Sequence, residues 1–254
     1  MNILVTNDDG VKAEGLHRLV EALSADADVY VCAPHIQRSA ASHSISVSQP
    51  IEASEIGFEN SKLAFVITGT PADCVKLGLS LLEKRGVAID MVFSGINHGG
   101  NLGTDTIYSG TVGAAREGNF CKKPSAAVSV NSHRPEHFEL ACELARKVCQ
   151  KAFGKIDSHA LININTPNLP KSEVKGVKFT RLGEREYDEW FDPRESETGA
   201  IQYSYDGEPV VYEGLPGDID VIAMQEGYAT ITPLHYDITE YELLEEIKNW
   251  GMDE

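Results

Sequence analysis

The sequence predicts an α/β protein in which a mostly parallel sheet is flanked by helices, and three observations lead to this fold class. Short apolar runs rich in β-branched residues recur along the chain, as in strands that are buried on both faces of a sheet. Segments with apolar residues at helical spacing alternate with these runs. The first strand, helix and second strand fit within about thirty residues, which is the length of a βαβ unit with parallel strands.

The strand and helix order follows from these patterns. Ile3 to Val5 is predicted as the first strand and Val29 to Cys32 as the second. Apolar residues recur at helical spacing between them, at Leu16, Leu19, Val20 and Leu23. Further strands are predicted at residues 63–67, 91–93, 125–130 and 161–164. The helix that follows residue 67 is predicted to begin at Thr70 as N-cap, with Pro71 in its first turn.

The pattern changes beyond Pro167. Apolar and polar residues alternate as in exposed hairpins, at residues 177–191, 201–205 and 228–231. Residues 239–250 are predicted as a capped amphipathic helix with Leu243, Leu244 and Ile247 facing inward. We therefore expect one domain over residues 1–254, with a core at 1–170, a hairpin and oligomerisation region at 171–235 and a C-terminal helix at 236–254.

Aromatic residues gather in this hairpin region, and such clusters more often form a small satellite core or a subunit contact than a ligand site. Residues 176–210 offer hairpin strands and aromatic surface that one sheet with flanking helices does not easily cover. We expect a symmetric homodimer, with pairing into a tetramer left open, and with these strands at the contact.

The charge balance restricts the class of partner. Acidic residues outnumber basic ones 39 to 22, which gives a formal net charge of −17. Such a chain is not expected to bind nucleic acid stably. Its field also repels anionic small molecules, so a bound cation and backbone amides would have to attract a phosphate locally.

Composition also predicts the compartment. No apolar run is long enough to cross a bilayer, so no membrane partner is expected. Met1 leads directly into a core strand, which leaves no room for a signal peptide. The five cysteines are widely spaced and never form a CxxC pair, as expected for reduced thiols. We expect a cytoplasmic protein.

The stretch Asn7-Asp8-Asp9-Gly10 follows the first strand directly. The carboxyl end of a strand is where an open α/β sheet places its ligand. Two adjacent carboxylates repel each other, and a hard divalent cation such as Mg²⁺, Mn²⁺ or Ca²⁺ would relieve the cost of burying them. The alternative is a turn followed by a helix cap.

Two further polar stretches follow predicted strands. Residues 35–49 form a long loop after the second strand, and residues 94–103 contain four glycines and two asparagines after the fourth. Glycines allow the backbone to approach a ligand closely, although the spacing fits neither a dinucleotide fingerprint nor a Walker loop. Arg38 and His43 in the long loop, and Asn101 in the glycine-rich stretch, are candidate substrate contacts, with an ordinary exposed loop as the alternative.

Ser109, Gly110 and Thr111 precede a run of small residues that can begin a tightly packed helix. Free amides at a helix start, together with the two hydroxyls, would form a cradle for phosphate. A simple Ser/Thr N-cap is the alternative. Because the glycine-rich stretch lies just before this turn, we favour the cradle.

Four motifs occur together in this chain. They are Asn-Asp-Asp-Gly at 7–10, Ser-Gly-Ile-Asn at 94–97, Tyr-Ser-Gly-Thr at 108–111 and Glu-Gly-Tyr-Ala-Thr-Ile-Thr-Pro-Leu at 226–234. In this combination and order the chain resembles the SurE family of survival proteins, from residue 1 to about residue 241. The resemblance implies a Rossmann-like domain with a C-terminal β-hairpin extension used in dimer and tetramer assembly.

The resemblance also implies an activity and roles for particular residues. It implies metal-dependent removal of phosphate from nucleoside monophosphates by a 5′-nucleotidase, with 3′-nucleotidase and exopolyphosphatase activities left open. By position, Asp8, Asp9, Ser39 and Asn97 match the family's ligands for one divalent metal ion per subunit, Mg²⁺ or Mn²⁺, and Asp8 and Asp9 are its catalytic carboxylates. Ser109, Gly110 and Thr111 match its phosphate-contacting turn.

The motifs allow three functional hypotheses. The leading one is a phosphomonoesterase in which water attacks the phosphoryl group directly. A phospho-aspartate mechanism would use an Asp-x-Asp pair with an assisting lysine, which the adjacent Asp8 and Asp9 fit poorly. A non-catalytic nucleotide sensor could use the same pocket, and release of inorganic phosphate distinguishes it from an enzyme.

Overall fold

The computed structural model describes residues 1–152, 154–156, 159–210, 213–250 and 252. Its strands are β1 (Asn2–Thr6), β2 (Asp28–Pro34), β3 (Ala53–Ile56), β4 (Leu63–Ile67), β5 (Met91–His98), β6 (Ser125–Asn131), β7 (Ala160–Pro167), β8 (Val177–Phe179), β9 (Tyr187–Glu195), β10 (Ile201–Pro209) and β11 (Ala229–His235). Its helices are α1 (Glu14–Ser24), α2 (Pro71–Glu83), α3 (Asp105–Tyr108), α4 (Gly110–Phe120), α5 (Glu139–Ala152), α6 (Asp220–Gln225) and α7 (Tyr241–Ile247).

A mostly parallel sheet forms the centre of the fold. Within the described residues it has nine strands in the order β3-β4-β2-β1-β5-β6-β7-β11-β8. β1 pairs in parallel with β2 on one side and with β5 on the other. β9 and β10 form a separate antiparallel hairpin. The predicted fold class, a mostly parallel α/β sheet with a hairpin extension, is confirmed.

Helices cover both faces of the sheet, and the alternation of side chains along β1 determines which helix each residue meets. Ile3 belongs to the buried cluster that includes Leu16 of α1. Leu4 points the other way, into the cluster that contains Val75 of α2 and Ala114 of α4. The apolar side chains of β1 fill both faces of the sheet, and the polar residues Asn7, Asp8 and Asp9 follow directly at its carboxyl end, which is where the site lies.

The start of α2 agrees with its sequence prediction. The Thr70 side chain accepts a hydrogen bond from the Asp73 backbone N–H at 3.1 Å, and Asp73 Oδ2 accepts one from the Thr70 backbone N–H at 2.9 Å. This reciprocal capping box satisfies two N–H groups that the helix leaves unpaired. Burial opposes ionisation of Asp73 most, but the hydrogen bonds from Thr70 and Ser46 hold its pKa below the ordinary value.

The prediction for residues 228–231 is wrong. Ala229–His235 forms β11, which lies inside the main sheet, antiparallel to β7 and parallel to β8. Val177–Phe179 is likewise the edge strand β8 and not one arm of a hairpin. Period-two alternation occurs equally in an exposed hairpin and in an antiparallel strand added to a larger sheet, so the pattern could not separate them.

Two other boundaries differ from the prediction. The C-terminal helix is shorter, Tyr241–Ile247, and Leu243 and Leu244 are 45% and 38% exposed, so the predicted inward orientation is wrong for the single chain. The fourth strand is longer, because β5 continues to His98 with a register shift against β6 between Ser94 and Asn97. Such an irregularity re-aims side chains at the end of a strand.

In the part of the chain that the structure describes, the helices are all too short or too polar to span a membrane.

Candidate active site

The site lies where three neighbouring strands end. Asp8 and Asp9 follow β1, Ser39 lies in the loop after β2, and Asn97 is the penultimate residue of β5. All four line one cleft with a volume of about 750 Å³. The four residues predicted to bind a metal are therefore brought together, because the carboxyl ends of parallel strands meet at one edge of the sheet.

Asp8 is held against the start of α4. Its side chain is 5% exposed, and its Oδ1 accepts a hydrogen bond of 2.5 Å from Thr111 Oγ1. A Cβ atom on Gly110 would lie 2.9 Å from Asp8 Oδ2, so this position requires glycine if the helix is to approach the carboxylate so closely. The positive end of the α4 dipole therefore lies beside this carboxylate.

Burial raises the pKa of Asp8 to about 7. The negative charge of Asp9 acts in the same direction, and the hydrogen bond from Thr111 opposes both. A carboxylate that is costly to ionise in the free protein gains most when a cation is placed beside it.

Asp9 joins the loop after β2 to the end of β5. Its Oδ1 accepts a hydrogen bond from Gln37 Nε2 at 3.1 Å, and its Oδ2 accepts one from the His98 backbone N–H at 3.0 Å. The Arg38 backbone N–H donates to the carbonyl oxygen of Asp8 at 2.7 Å. These bonds hold Asp8 and Asp9 in fixed relation to the loop that carries Ser39 and to Asn97.

Asn97 is oriented by the glycine-rich turn that follows it. Its Nδ2 donates to the carbonyl oxygen of Gly99 at 2.8 Å. This bond fixes the amide plane and leaves Oδ1 as the acceptor end of the side chain. Ser39 is exposed at the cleft, where its hydroxyl is accessible.

These residues fit a hard divalent cation. Among the described residues there is no cluster of three or more His, Cys, Asp or Glu side chains that could hold a metal. The predicted ligand set that lines the cleft instead provides two carboxylates, one amide oxygen and one hydroxyl, from Asp8, Asp9, Asn97 and Ser39. Oxygen donors of this kind suit Mg²⁺ or Mn²⁺ and leave coordination positions for water and substrate.

The predicted phosphate turn begins α4. Ser109 is its N-cap, and its Oγ accepts a hydrogen bond from the Val112 backbone N–H at 3.0 Å. Thr111 is fully buried and directs its hydroxyl to Asp8. The turn therefore caps a helix and supports the carboxylate. Ser109 also lines the cleft, so the helix start faces the space beside Asp8.

The three candidate substrate contacts lie in different environments. Arg38 donates through Nη2 to the carbonyl oxygen of Thr68 at 3.1 Å and does not line the cleft. Asn101 lines the cleft, but its Nδ2 donates inward to Ser129 Oγ at 2.8 Å. The backbone N–H of Asn101 donates to Asn165 Oδ1 at 2.8 Å.

His43 lies outside the cleft, beside α4. Its Nε2 is 2.9 Å from Oε2 of the buried Glu117, and Lys76 Nζ is 2.8 Å from Oε1 of the same carboxylate. Burial opposes ionisation of Glu117 most, but the bonds to His43 and Lys76 together lower its pKa. In this position His43 fastens the loop after β2 to α4.

The cleft also contains residues that the sequence did not single out as site residues. Asp105, His133 and Arg185 line it, together with Tyr187, which the sequence suggested only as part of an aromatic surface. Arg185 and Tyr187 come from the segment that enters β9, far along the chain from the glycine-rich stretch. A single sequence offers no local signal for such a long-range contact.

Comparisons with known proteins agree with this geometry. The family model described as "Survival protein SurE" matches residues 3–189. The chain belongs to the SurE family. The resemblance that the four sequence motifs indicated is thereby confirmed, and the match covers every residue assigned to the cleft apart from the end of β10.

SurE relatives align over nearly the whole chain. A protein from Syntrophomonas wolfei, named 5′-nucleotidase SurE, is 44% identical over 250 residues, which is 98% of this chain and 94% of the relative. A protein of the same name from Desulforudis audaxviator is 43% identical over 259 residues, with 100% and 98% covered. The crystal structure of the SurE protein from Aquifex aeolicus superposes with a TM-score of 0.84 at 34% identity, covering 98% of this chain and 99% of that one.

Proposed function

We propose that this chain is a metal-dependent 5′-nucleotidase that hydrolyses nucleoside monophosphates to nucleoside and phosphate. The observation that carries the proposal is the pair Asp8–Asp9, set in one cleft with Asn97 and Ser39 at the start of α4. SurE relatives named 5′-nucleotidase, at 38–44% identity over nearly the full chain, support the same activity.

Asp8, Asp9, Asn97 and Ser39 would hold one Mg²⁺ or Mn²⁺ ion. When bound, such an ion supplies charge neutralisation for the phosphoryl group and lowers the pKa of a coordinated water. Thr111 keeps Asp8 oriented by its short hydrogen bond, and Gln37 with the His98 backbone N–H does the same for Asp9.

The start of α4 would position the phosphate. Backbone N–H groups of the first turn of a helix lack intrahelical partners and favour anions. In a protein with a net charge of −17, these amides and the bound cation supply the local attraction for a phosphate dianion. Positioning and charge neutralisation are most of what phosphoryl transfer requires.

Direct attack by water is favoured over a phospho-aspartate. Asp8 accepts a hydrogen bond from Thr111, and both oxygens of Asp9 accept hydrogen bonds from the protein. A carboxylate held in this way is suited to orienting a ligand and poorly placed to attack a phosphorus atom. Isolation of a covalent phospho-aspartate would overturn this choice.

The first test is release of inorganic phosphate from AMP and GMP. We expect release in the presence of Mn²⁺, loss of release after treatment with a chelator and full recovery when Mn²⁺ is added back. Binding of nucleotide without any release of phosphate under all metals tested would instead indicate a sensor. p-Nitrophenyl phosphate, assayed in parallel, reports phosphate chemistry independently of the nucleoside.

We also propose that the chain forms a symmetric homodimer and that it works in the cytoplasm. The hairpin β9–β10 carries exposed apolar side chains that include Trp190, Phe191 and Tyr203, which support an interface there. Five free cysteines support a reducing compartment. Sedimentation, which tests for the dimer, also shows whether two dimers pair into a tetramer.

Assembly is tested by sedimentation. We expect a dimer or larger species at micromolar concentrations, because a single chain leaves these aromatic side chains in water. Replacing Trp190 and Phe191 together with serine should shift the species toward monomer, while Val47→Ser, at an exposed position in the loop after β2 and outside residues 176–210, should not. A concentration-independent monomer for the unaltered chain would contradict the prediction.

A further inference from the structure

The cleft receives two residues from the segment that enters β9. Arg185 and Tyr187 lie in the same lining as Asp105 of α3 and as Glu208 near the end of β10. Within the described residues, Arg185 is the only lysine or arginine among those that line the cleft. These groups have no part in the proposed metal or phosphate binding.

Arg185 is held rigidly. Its Nη1 lies 2.9 Å from Asp105 Oδ2 and donates to the carbonyl oxygen of Gly100 at 3.4 Å. Its Cζ lies 5.5 Å from the ring centre of Tyr187, and the Tyr187 hydroxyl donates to the same Asp105 oxygen at 2.6 Å. The Arg185 side chain is only 14% exposed. A guanidinium fixed in this way loses little entropy when it binds a ligand.

The backbone of the same segment is fastened to the glycine-rich stretch. Thr104 Oγ1 donates to the carbonyl oxygen of Arg185 at 2.9 Å. The buried Asp220 accepts hydrogen bonds from the backbone N–H groups of Gly103, at 2.8 Å, and Gly183, at 2.9 Å. Arg185 is thereby set in a fixed position relative to the strand ends that carry Asp9 and Asn97.

One edge of the guanidinium is left for a ligand. The hydrogen bond to Gly100 and the ion pair with Asp105 both use Nη1, and in the described part of the chain Nε and Nη2 have no protein partner. Nε and Nη2 lie on one side of the guanidinium and form a two-donor fork. Asp105 already neutralises the charge of Arg185, so the fork is better suited to a neutral pair of acceptors than to a phosphate.

We propose that Arg185 is a specificity-determining residue that recognises the base of a 6-oxopurine nucleotide, guanine or hypoxanthine, through its Nε–Nη2 edge. O6 and N7 of such a base are adjacent acceptors that match an arginine fork, whereas adenine presents an amino donor in place of O6. The Tyr187 ring beneath the planar guanidinium helps to hold the fork in place. The proposal rests on the proposed nucleotidase activity.

The test compares IMP with AMP, which differ at position 6 of the base. We expect the unaltered enzyme to show kcat/KM for IMP at least ~tenfold above that for AMP, mainly through KM. Arg185→Gln should make kcat/KM for IMP nearly equal to kcat/KM for AMP. Arg185→Lys, which keeps the charge and loses the fork, should do the same. p-Nitrophenyl phosphate, which has no base, should be hydrolysed equally by all three proteins.

Arg181→Gln is the matched control. Arg181 lies four residues earlier on the same segment, exposed and paired with Asp218, and does not line the cleft. The Arg181→Gln variant should keep the same ratio of kcat/KM for IMP to kcat/KM for AMP as the unaltered enzyme. Equal values for IMP and AMP with the unaltered enzyme, or an equal loss toward IMP and p-nitrophenyl phosphate in Arg185→Gln, would overturn the proposal. If the unaltered enzyme releases no phosphate from any nucleotide, the proposed function itself fails.

Discussion

Replacing Asp8 or Asp9 with asparagine is expected to lower kcat at least ~100-fold at saturating Mn²⁺. Each change removes one of the two carboxylates of the proposed metal-binding set, and with it a metal contact or its orientation. Asparagine keeps the size of the side chain, so the hydrogen-bonding neighbours stay in place. The measurement is kcat for AMP and p-nitrophenyl phosphate over a range of Mn²⁺ concentrations.

The fold should survive both changes. Removing one of two adjacent like charges relieves repulsion in the metal-free protein. Asp28→Asn is a suitable control, because Asp28 is an exposed carboxylate at the start of β2, 3.2 Å from Lys62 Nζ and outside the cleft. An unchanged rate for both Asp8→Asn and Asp9→Asn at saturating Mn²⁺ would remove these residues from the metal site.

Lowering the pH below about 7 is expected to weaken Mn²⁺ binding, by about tenfold for each pH unit. Asp8, whose pKa burial raises to about 7, must lose its proton before it can bind the ion. Titration calorimetry from pH 8 to pH 5.5 measures the effect, and Asp8→Asn should bind weakly with a much flatter pH dependence. Equal affinity for Mn²⁺ across this range in the unaltered protein would contradict the role of Asp8.

The same group affects stability in the absence of metal. The pKa of Asp8 is higher in the folded chain than in the unfolded one, so between about pH 4 and pH 7 the folded state binds more protons. The free energy of unfolding must therefore fall as the pH rises through this window. Asp8→Asn should lack this fall and be more stable than the unaltered chain above pH 7, as urea unfolding with chelator present would show.

The local patterns of the sequence predict most of the central sheet. Apolar runs give β1, β2 and β4 with little error, because a strand buried on both faces is recognisable from its own residues. The rule that ligands lie at the carboxyl ends of parallel strands then brings Asp8 and Asn97 into one cleft from two separate motifs.

What could not be predicted depends on contacts between distant segments. Arg185 is held at the cleft by hydrogen bonds with Thr104 and by an ion pair with Asp105, and neither of these residues carries a sequence signal that points to Arg185. The alternation in β11 predicts a hairpin strand, because alternation reports which face is polar and not which strand lies beside it. His43 has the chemistry of a site residue, but it contacts Glu117 on α4 and lies outside the cleft.

The central position of β1 has a consequence for how the chain becomes active. β1 is made first, but its two neighbours, β2 and β5, follow only later along the chain. Pairing over such sequence separations is entropically costly and slow. The metal donors therefore come together only when the middle of the sheet is complete. During refolding, recovery of Mn²⁺ affinity should mark the closing of β5 onto β1 and coincide with the final gain of protection from hydrogen exchange in those strands.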